Sequence, residues 1–576
     1  MSAGRPRDNS DTSSIDEFVP RVFLVGAGPG NPGLLTLRAV ECLAQAEVVI
    51  YDRLLPDRLL HFVPAAAVRI PVASLPGRHA ERCPHITEAL LDAARRGKRV
   101  VRLKGGDPFL FGRGAEEAQA LREAGIPYEI VPGVTAALGA GAFAGIPLTH
   151  RLHASAVALV TGHECAKPEV ATDWSALAHF PGTLAIYMGM ANLPLITQNL
   201  VAHGKSPDTP AAAIRWGSTG EQRTVEAPLH RLADAVRTAG LEPPALVVIG
   251  SVVSMRSQLA WWEERPLFGK RVLVTRPGPQ AEDLVTRLER LGAVAFSLPT
   301  VAIGEPTDWS PVDRALANLP RYNWLVFTSA NGVHALIKRI GHLGRDLRSL
   351  GSLQIAAIGP GTADALHAYH LTPDLVPAKF DSETLAAALR ERAAGKRVLL
   401  ARADRGRELL REELAEVADV DQVAAYSQTD VQASDSPVVA RLEAGEMDFI
   451  TATSSNIVRS LYANLGNGAR ERVRRGEIEI VSISPVTSDA VRELGWPVAT
   501  EAKEATTAGV VRALVARVRD WQWKAKAETA NVGSAQVAKR VDGKEQHQPT
   551  GQDAKNIDYF ADAAEGHVEK QVEEEQ

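Results

Sequence analysis

Short apolar runs that end in glycine recur along the chain. Val22-Phe-Leu-Val-Gly26 predicts a strand, followed by Ala27-Gly-Pro-Gly-Asn-Pro-Gly33 and a helical pattern from Leu34 to Ala46. Glu47 to Tyr51 predicts a second strand ending in Asp52-Arg53, and Val68 to Val72 a third. Val100, Val101 and Leu103 mark a short buried strand that enters Lys104-Gly-Gly-Asp-Pro-Phe-Leu-Phe-Gly-Arg-Gly114. There Gly105 and Gly106 permit a sharp turn and a close backbone approach to a ligand. Ala115 to Ala124 reads as a helix, with Gly125 at its C-terminal stop. Tyr128 to Val131 predicts a strand leading into Pro132-Gly-Val-Thr-Ala-Ala137 and a small-residue stretch to Gly145. A new series then starts, with strands expected at Ala156–Thr161, Thr183–Met188, Ala211–Arg215 and Ala245–Gly250. This alternation predicts an α/β class with two lobes, about 21–145 and 152–255, and a ligand cleft between them.

Beyond a Pro-containing joint at Trp261 to Pro266, the second half repeats itself. Arg271-Val-Leu-Val-Thr-Arg276 matches Arg397-Val-Leu-Leu-Ala-Arg402, Thr328-Ser-Ala-Asn-Gly-Val333 matches Thr453-Ser-Ser-Asn-Ile-Val458, and Ile358 to Ala365 matches Ile483 to Ala490. The offsets are 126, 125 and 125 residues, which implies two similar α/β lobes. Thr328, Ser329 and Ser454 stand at helix starts, as do Thr362 and Thr487. Capping hydroxyls and free N–H groups at such starts attract carboxylates, although capping alone also accounts for each residue.

With 576 residues, 45% hydrophobic and 23% charged, the chain is expected to fold as about three or four globular units. Cys42, Cys83 and Cys165 make no disulfide framework, which suits a reducing cytoplasm. Cys42 reads as core filler on an apolar helix pattern. His79, Cys83 and His85 find no second cluster to complete a metal site, so no metal is expected. No apolar run is long enough to span a membrane. Residues 1–20 are polar and expected to be disordered, as is the acidic tail 524–576, where 7 Lys/Arg meet 11 Asp/Glu. The tail carries most of the net charge of −5, so the body is nearly neutral, which argues against nucleic acid as a partner.

Gly28-x-Gly30-x-x-Gly33 satisfies a dinucleotide fingerprint, but Pro29 and Pro32 remove two N–H donors from the loop that would cradle a pyrophosphate. A ligand without phosphates fits better. Asp52, at a strand end, has three readings on its own residues: a ribose ligand, a general base, or a turn acid.

Taken together, Gly26 to Thr36, Tyr51-Asp-Arg53, Leu103 to Gly114, Val131-Pro-Gly-Val-Thr-Ala136 and Tyr187-Met188 resemble the tetrapyrrole methylase family, most closely its uroporphyrinogen-III C-methyltransferases. The resemblance implies S-adenosylmethionine held between two lobes, usually in a homodimer. By position, Pro29, Gly105, Gly106, Asp107, Leu110, Thr135, Ala136, Met188 and Gly217 would line the cofactor, and Asp52 would be the catalytic base. The carboxylated substrate needs cations at the cleft mouth, for which Arg53, Arg113 and Arg151 are candidates. The chain departs from the family at Ala73-Ser74-Leu75, where relatives carry a Lys assigned as proton donor. Ser74 supplies no charge, and Arg78 or Arg82 are the replacements at hand.

The second half, roughly Phe268 to Trp521, resembles uroporphyrinogen-III synthase through its repeat, Ile358-Gly-Pro-Gly-Thr362, Ala425-Tyr426 and Ser484-Pro485. This implies cofactor-free cyclisation of hydroxymethylbilane, with Tyr426 assisting loss of the hydroxyl and Thr328, Ser329, Thr362, Ser454 and Thr487 binding carboxylates. It also implies that one lobe interrupts the other, so that the chain crosses near Val301 and Tyr426. The expected organisation is a methylase over 21–262, a linker over 263–269 and a synthase over 270–523. The synthase would have an interrupted lobe (270–301 plus 427–523) and an inserted lobe (302–426). The implied activities are closure of hydroxymethylbilane to uroporphyrinogen III and its methylation to precorrin-2. Two readings stay open beside this: a methylase of a different tetrapyrrole, and a first half that binds without turnover.

Overall fold

The computed structural model describes residues 20–76, 82–162 and 172–521, and leaves the side chains of residues 82, 83, 279 and 280 undescribed. His79, Arg78 and Cys165, the side chains of Arg82 and Cys83, the first 19 residues and the tail from 522 therefore fall outside it.

Four five-stranded sheets form in turn. The first contains β1 (Val22–Gly26), β2 (Val48–Tyr51), β3 (Val68–Pro71), β4 (Val100–Lys104) and β5 (Tyr128–Val131), in the order β3-β2-β4-β1-β5. All its pairings are parallel. Alternation along β1 explains why both faces are covered. Phe23 and Val25 point into one cluster of buried apolar side chains, Val22 and Leu24 into another. The expected helix from Leu34 is shorter, Leu37–Ala44, because Pro32–Leu34 form a 3₁₀ turn and the Thr36 hydroxyl caps the helix at the Ala39 N–H, 3.1 Å away.

The second sheet contains β6 (Val157–Thr161), β7 (Thr183–Tyr187), β8 (Pro210–Arg215), β9 (Arg223–Pro228) and β10 (Ala245–Ile249), in the order β6-β7-β10-β8-β9. Only β6–β7 is parallel. No apolar run marks the edge strand β9.

In the second half, β11 (Arg271–Val274) and β12 (Val294–Ser297) begin a sheet that the chain then leaves. β13 (Val301–Gly304), β14 (Trp324–Phe327), β15 (Gln354–Ala357), β16 (Arg397–Ala403) and β17 (Asp419–Asp430) form a separate sheet in the order β13-β17-β16-β14-β15. The chain then returns with β18 (Phe449–Ala452), β19 (Glu479–Ser482) and β20 (Thr500–Glu501), completing β12-β11-β18-β19-β20. The outgoing and returning strands, β13 and the end of β17, pair antiparallel from Val301↔Asp430 to Gly304↔Ser427. The repeat seen in the sequence corresponds to β14 and β18 and the helices that follow them, capped by Ser329 and Ser454.

The four sheets lie within one compact unit ending at Val515. Its halves meet at the joint. Trp262, 4% exposed, donates its indole N–H to Thr219 O at 2.8 Å, and the Leu267 and Gly269 N–H groups reach Leu291 and Gly292 carbonyls at 3.0 and 3.2 Å. Gly220 lies so close that an added Cβ would stand 2.6 Å from Gly292 O. Arg58 pairs with Glu289 and donates to the Thr286 hydroxyl at 2.6 Å. No described helix is long and apolar enough to cross a membrane.

Candidate active sites

The loops after β1, β4 and β5 cross one another at the carboxyl ends of the first sheet, the usual ligand position in an open parallel sheet. Gly28 and Gly106 exchange backbone hydrogen bonds at 3.2 and 2.8 Å. A Cβ on Gly133 would lie 2.2 Å from Gly106 O, so only glycine permits the crossing. Asp107 stitches two loops together, accepting from Phe109 N at 2.8 Å and Gly133 N at 3.0 Å.

Loops of the second sheet close over these. Tyr187 Oη lies 2.7 Å from Thr135 Oγ1 and accepts from Ala137 N at 3.0 Å, and burial pushes its phenol up. Asn31 donates to Ser218 O at 2.9 Å. Gly217 abuts Ala140, whose Cβ would be 2.3 Å from any Cβ added there, and the Pro29 ring packs on Gly139. Pro29, Gly105, Gly106, Asp107, Thr135, Ala136 and Gly217 are thus gathered from both sheets. Leu110 follows Asp107 in the same loop, and Met188 follows Tyr187, 52% exposed. Phe111, Arg113, Met188, Trp216 and Ser218 all adopt positive φ, between 49° and 74°. Left-handed backbone at bulky residues costs about 1–3 kcal/mol each and concentrates where ligands bind.

Beneath this cluster runs a chain of buried charges. Arg102 and Lys104 share one face of β4, two residues apart, and are 3% and 2% exposed. Glu117, in the helix Gly114–Glu123, accepts from Lys104 Nζ at 2.8 and 2.9 Å and from Arg102 Nε at 3.1 Å. The far side of the Arg102 guanidinium meets Asp52 Oδ1 at 2.5 Å, and Asp52 Oδ2 accepts the Gly105 N–H at 3.2 Å. Asp52 therefore sits at the rim with a third of its side chain exposed. Burial acts to lower Arg102, but Asp52 and Glu117 outweigh it and hold the guanidinium above its usual range. Lys104 is pushed down by burial and by Arg102, with Glu117 only partly opposing. The apolar reading of β4 passed over Arg102 and Lys104, and Glu117 with them. Two charges spaced by two within an apolar strand were the available signal.

Ser74 ends a 3₁₀ turn, where its hydroxyl donates to Pro71 O at 2.7 Å. Arg53 and Arg151 are exposed, and Arg113 pairs with Glu116 at 3.3 Å. Among the described residues no ion pair or hydrogen bond joins these three arginines to Asp52. No described group of three His, Cys, Asp or Glu could hold a metal.

In the second half, Tyr426 is 4% exposed and its Oη lies 2.9 Å from Ser329 Oγ, which also accepts the Gly332 N–H at 3.1 Å. Burial pushes the Tyr426 phenol up, against hydrogen bonds from Ser329 and Gln428, so it remains a proton donor. Gln428 Oε1 accepts from Asn456 at 3.0 Å, which joins the β17 end to the helix Ser455–Asn464 across the two sheets. Thr362 and Thr487 lie in the first turns of the helices Pro360–His367 and Pro485–Glu493, both buried, and Thr328 directly precedes Ser329 at the end of β14. Asn456 falls in the repeat motif, where it matches Asn331, but Gln428 has no such mark, and their meeting depends on how two sheets are placed.

Two sheets joined over crossed glycine loops, followed by two interleaved sheets around a buried tyrosine, define a protein made of two enzyme folds. Residues 21–233 match the family model of the tetrapyrrole (corrin/porphyrin) methylases, and residues 282–512 that of uroporphyrinogen-III synthase HemD. The porphyrin biosynthesis protein HemD of Ruminiclostridium josui is 34% identical over 450 residues, 77% of this chain and 88% of that protein. The uroporphyrinogen-III C-methyltransferase of Bacillus subtilis is 38% identical over 338 residues, 58% of this chain and 69% of its own. The siroheme synthase of Tolumonas auensis is 49% identical over 266 residues, 46% of this chain, and the match spans only 56% of that relative. The chain belongs to the porphyrin-biosynthesis family in which a tetrapyrrole methylase is fused to a HemD-type uroporphyrinogen-III synthase.

Proposed function

We propose that the protein is bifunctional. Its second half cyclises hydroxymethylbilane to uroporphyrinogen III, and its first half methylates that product to precorrin-2 with S-adenosylmethionine. The observation that carries the first activity is the Asp52 carboxylate, bonded by Arg102 and by the Gly105 N–H at the edge of the glycine crossing. S-adenosylmethionine supplies an electrophilic methyl on a sulfonium. The loops suit it: Pro29 and Pro32 offer no phosphate-binding N–H, and carbonyl oxygens with Asp107 favour a cation. Asp52 would take a proton from the ring system of the substrate, a general-base role, and the crossed loops would hold the methyl donor close to it. Arg53, Arg113 and Arg151 are proposed to meet substrate carboxylates, and a second copy of the chain to complete a homodimer through the first half.

Tyr426 protonates or hydrogen-bonds the departing hydroxyl of hydroxymethylbilane, positioned by Ser329. The substrate's own pyrrole nitrogens also expel that group. Tyr426→Phe is therefore expected to slow cyclisation by roughly three- to tenfold, well short of the ~10²–10⁴-fold attributed to general acid–base catalysis. Initial rates with hydroxymethylbilane check this, and a loss above a thousandfold would make the tyrosine obligatory.

The deciding test is mass spectrometry of the product from hydroxymethylbilane plus S-adenosylmethionine. A doubly methylated type III product is expected. Unmethylated uroporphyrinogen III would favour the second reading, a first half that binds without turnover. The feature supporting that reading is Ser74, whose hydroxyl is committed to a turn and brings no charge.

A further inference from the structure

Arg276 directly follows Thr275 beyond β11, at the carboxyl edge of the β12-β11-β18-β19-β20 sheet, six residues ahead of the segment that matches the synthase family model. Its side chain is half-buried, and desolvation pushes the guanidinium down. Among the described residues it forms no ion pair, and its one hydrogen bond runs from Nη1 to Thr507 Oγ1 at 3.3 Å. The only acid whose charge reaches it is Asp283, and that carboxylate is already held by Arg287 at 2.8 Å. A partly desolvated cation without a close counter-charge is costly for a protein to keep.

Its surroundings are built for an anion. Thr453 follows β18 as Arg276 follows β11, so the two residues leave the carboxyl ends of adjacent parallel strands. Thr453 Oγ1 is a buried hydroxyl with no partner among the described residues, whereas the hydroxyls of Thr275 and Thr451 behind it are bonded to Thr451 O and Leu273 O at 2.9 and 3.0 Å. The next residue, Ser454, opens the ten-residue helix Ser455–Asn464, whose first N–H groups face the same sheet edge. Thr507 stands at the start of the helix over 507–521. A guanidinium, an unpaired hydroxyl and a helix start at one edge form a carboxylate receptor.

We propose that Arg276, with Thr453, binds a carboxylate side chain of the linear tetrapyrrole, so that the substrate itself completes the missing ion pair. This rests on the reading of the second half as a synthase. It assigns to Arg276 a charge-assisted, fork-shaped contact that backbone N–H groups and hydroxyls do not supply.

The test uses the full chain carrying Arg276→Gln, Arg276→Lys or Thr453→Val. Three quantities are measured: kcat and KM for hydroxymethylbilane, the Kd for uroporphyrin III by fluorescence quenching, and the thermal midpoint. Arg276→Gln is expected to raise KM and Kd by about 10- to 100-fold with kcat little changed. Its thermal midpoint is expected to hold or rise, because a partly desolvated charge without a close counter-charge has been removed. Arg276→Lys should recover part of the affinity, and Thr453→Val should lose about threefold. An unchanged Kd in a folded Arg276→Gln protein overturns the proposal, as does a lowered midpoint with unchanged KM, the mark of a merely structural residue. If the unaltered protein does not cyclise hydroxymethylbilane, the synthase reading falls, and the porphyrin Kd alone then decides whether Arg276 is a carboxylate site.

Discussion

Asp52→Asn is expected to reduce methylation of uroporphyrinogen III by at least about 10²-fold while cyclisation proceeds at its ordinary rate. The substitution is nearly isosteric. The amide oxygen can still accept from Arg102 or from the Gly105 N–H, so the loop keeps its course. What disappears is the basic carboxylate, and general-base contributions run to about 10²–10⁴-fold. Asp52 lies at the end of β2 in the first sheet, while Tyr426 and Ser329 lie in a sheet that begins beyond residue 300. The two activities should therefore separate cleanly. Methyl transfer from labelled S-adenosylmethionine to supplied uroporphyrinogen III checks the first, and conversion of hydroxymethylbilane the second. Methylation within threefold of the unaltered protein would remove Asp52 as the base. A fall in both activities with the fold intact would show that the halves are not chemically independent.

Glu117→Gln should be the most damaging change to stability in the first half. Glu117 is the sole anionic hydrogen-bond partner of Lys104 among the described residues and the second carboxylate on Arg102. Removing one member of a buried ion pair leaves its partner uncompensated and costs about 3–5 kcal/mol. The burial that already pushes Lys104 down would then act unopposed by Glu117, and the lysine would titrate at a lower pH still. Arg102 cannot shed its proton and would be left leaning on Asp52 alone. Denaturant unfolding should show the loss, and replacing Lys104 by Met in the same chain should return much of it, since apolar substitutes for buried pairs are often neutral or stabilising. A loss below about 1 kcal/mol for the single change would mean that water reaches Lys104.

The features of this molecule that are local in sequence were legible, and those that depend on distant meetings were not. Gly26 and Gly133 announce the loop crossing because a Cβ is sterically impossible there, and Gly106 because its φ is positive, and such positions leave a residue-level mark. The equal spacing of Thr328-Ser329 and Thr453-Ser454 revealed the repeat because each pair closes a strand and caps a helix within four residues. By contrast, Arg102 is neutralised by residues 50 positions before it and 15 after it. Without those partners, a charge inside Val100-Val-Arg-Leu-Lys104 is simply an exception to an apolar strand. β9 escaped notice because an edge strand with one solvent face needs few apolar residues, and Arg223–Pro228 buries none of its six fully. The positive φ of Met188 and Trp216 has no signature at all in residue type. The crossing of the glycine loops could be read from residue type, while the buried charges beneath it came only with the fold.

The antiparallel ribbon of β13 and the end of β17 carries a mechanical consequence. It comprises four residue pairs, from Val301↔Asp430 to Gly304↔Ser427, and lies where the chain passes between the two sheets of the second half. One of those sheets is bolted to the methylase half through Leu267, Gly269, Gly220 and the Arg58–Glu289 pair, so it shares the inertia of the larger body. The other hangs from a two-stranded strap that twists and bends far more readily than a full sheet. Any breathing of the synthase cleft is then a one-sided swing of the sheet that carries Tyr426 and Ser329 against a fixed anvil that carries Arg276 and Ser454. Gln428 and Asn456, joined across the fulcrum, serve as the catch.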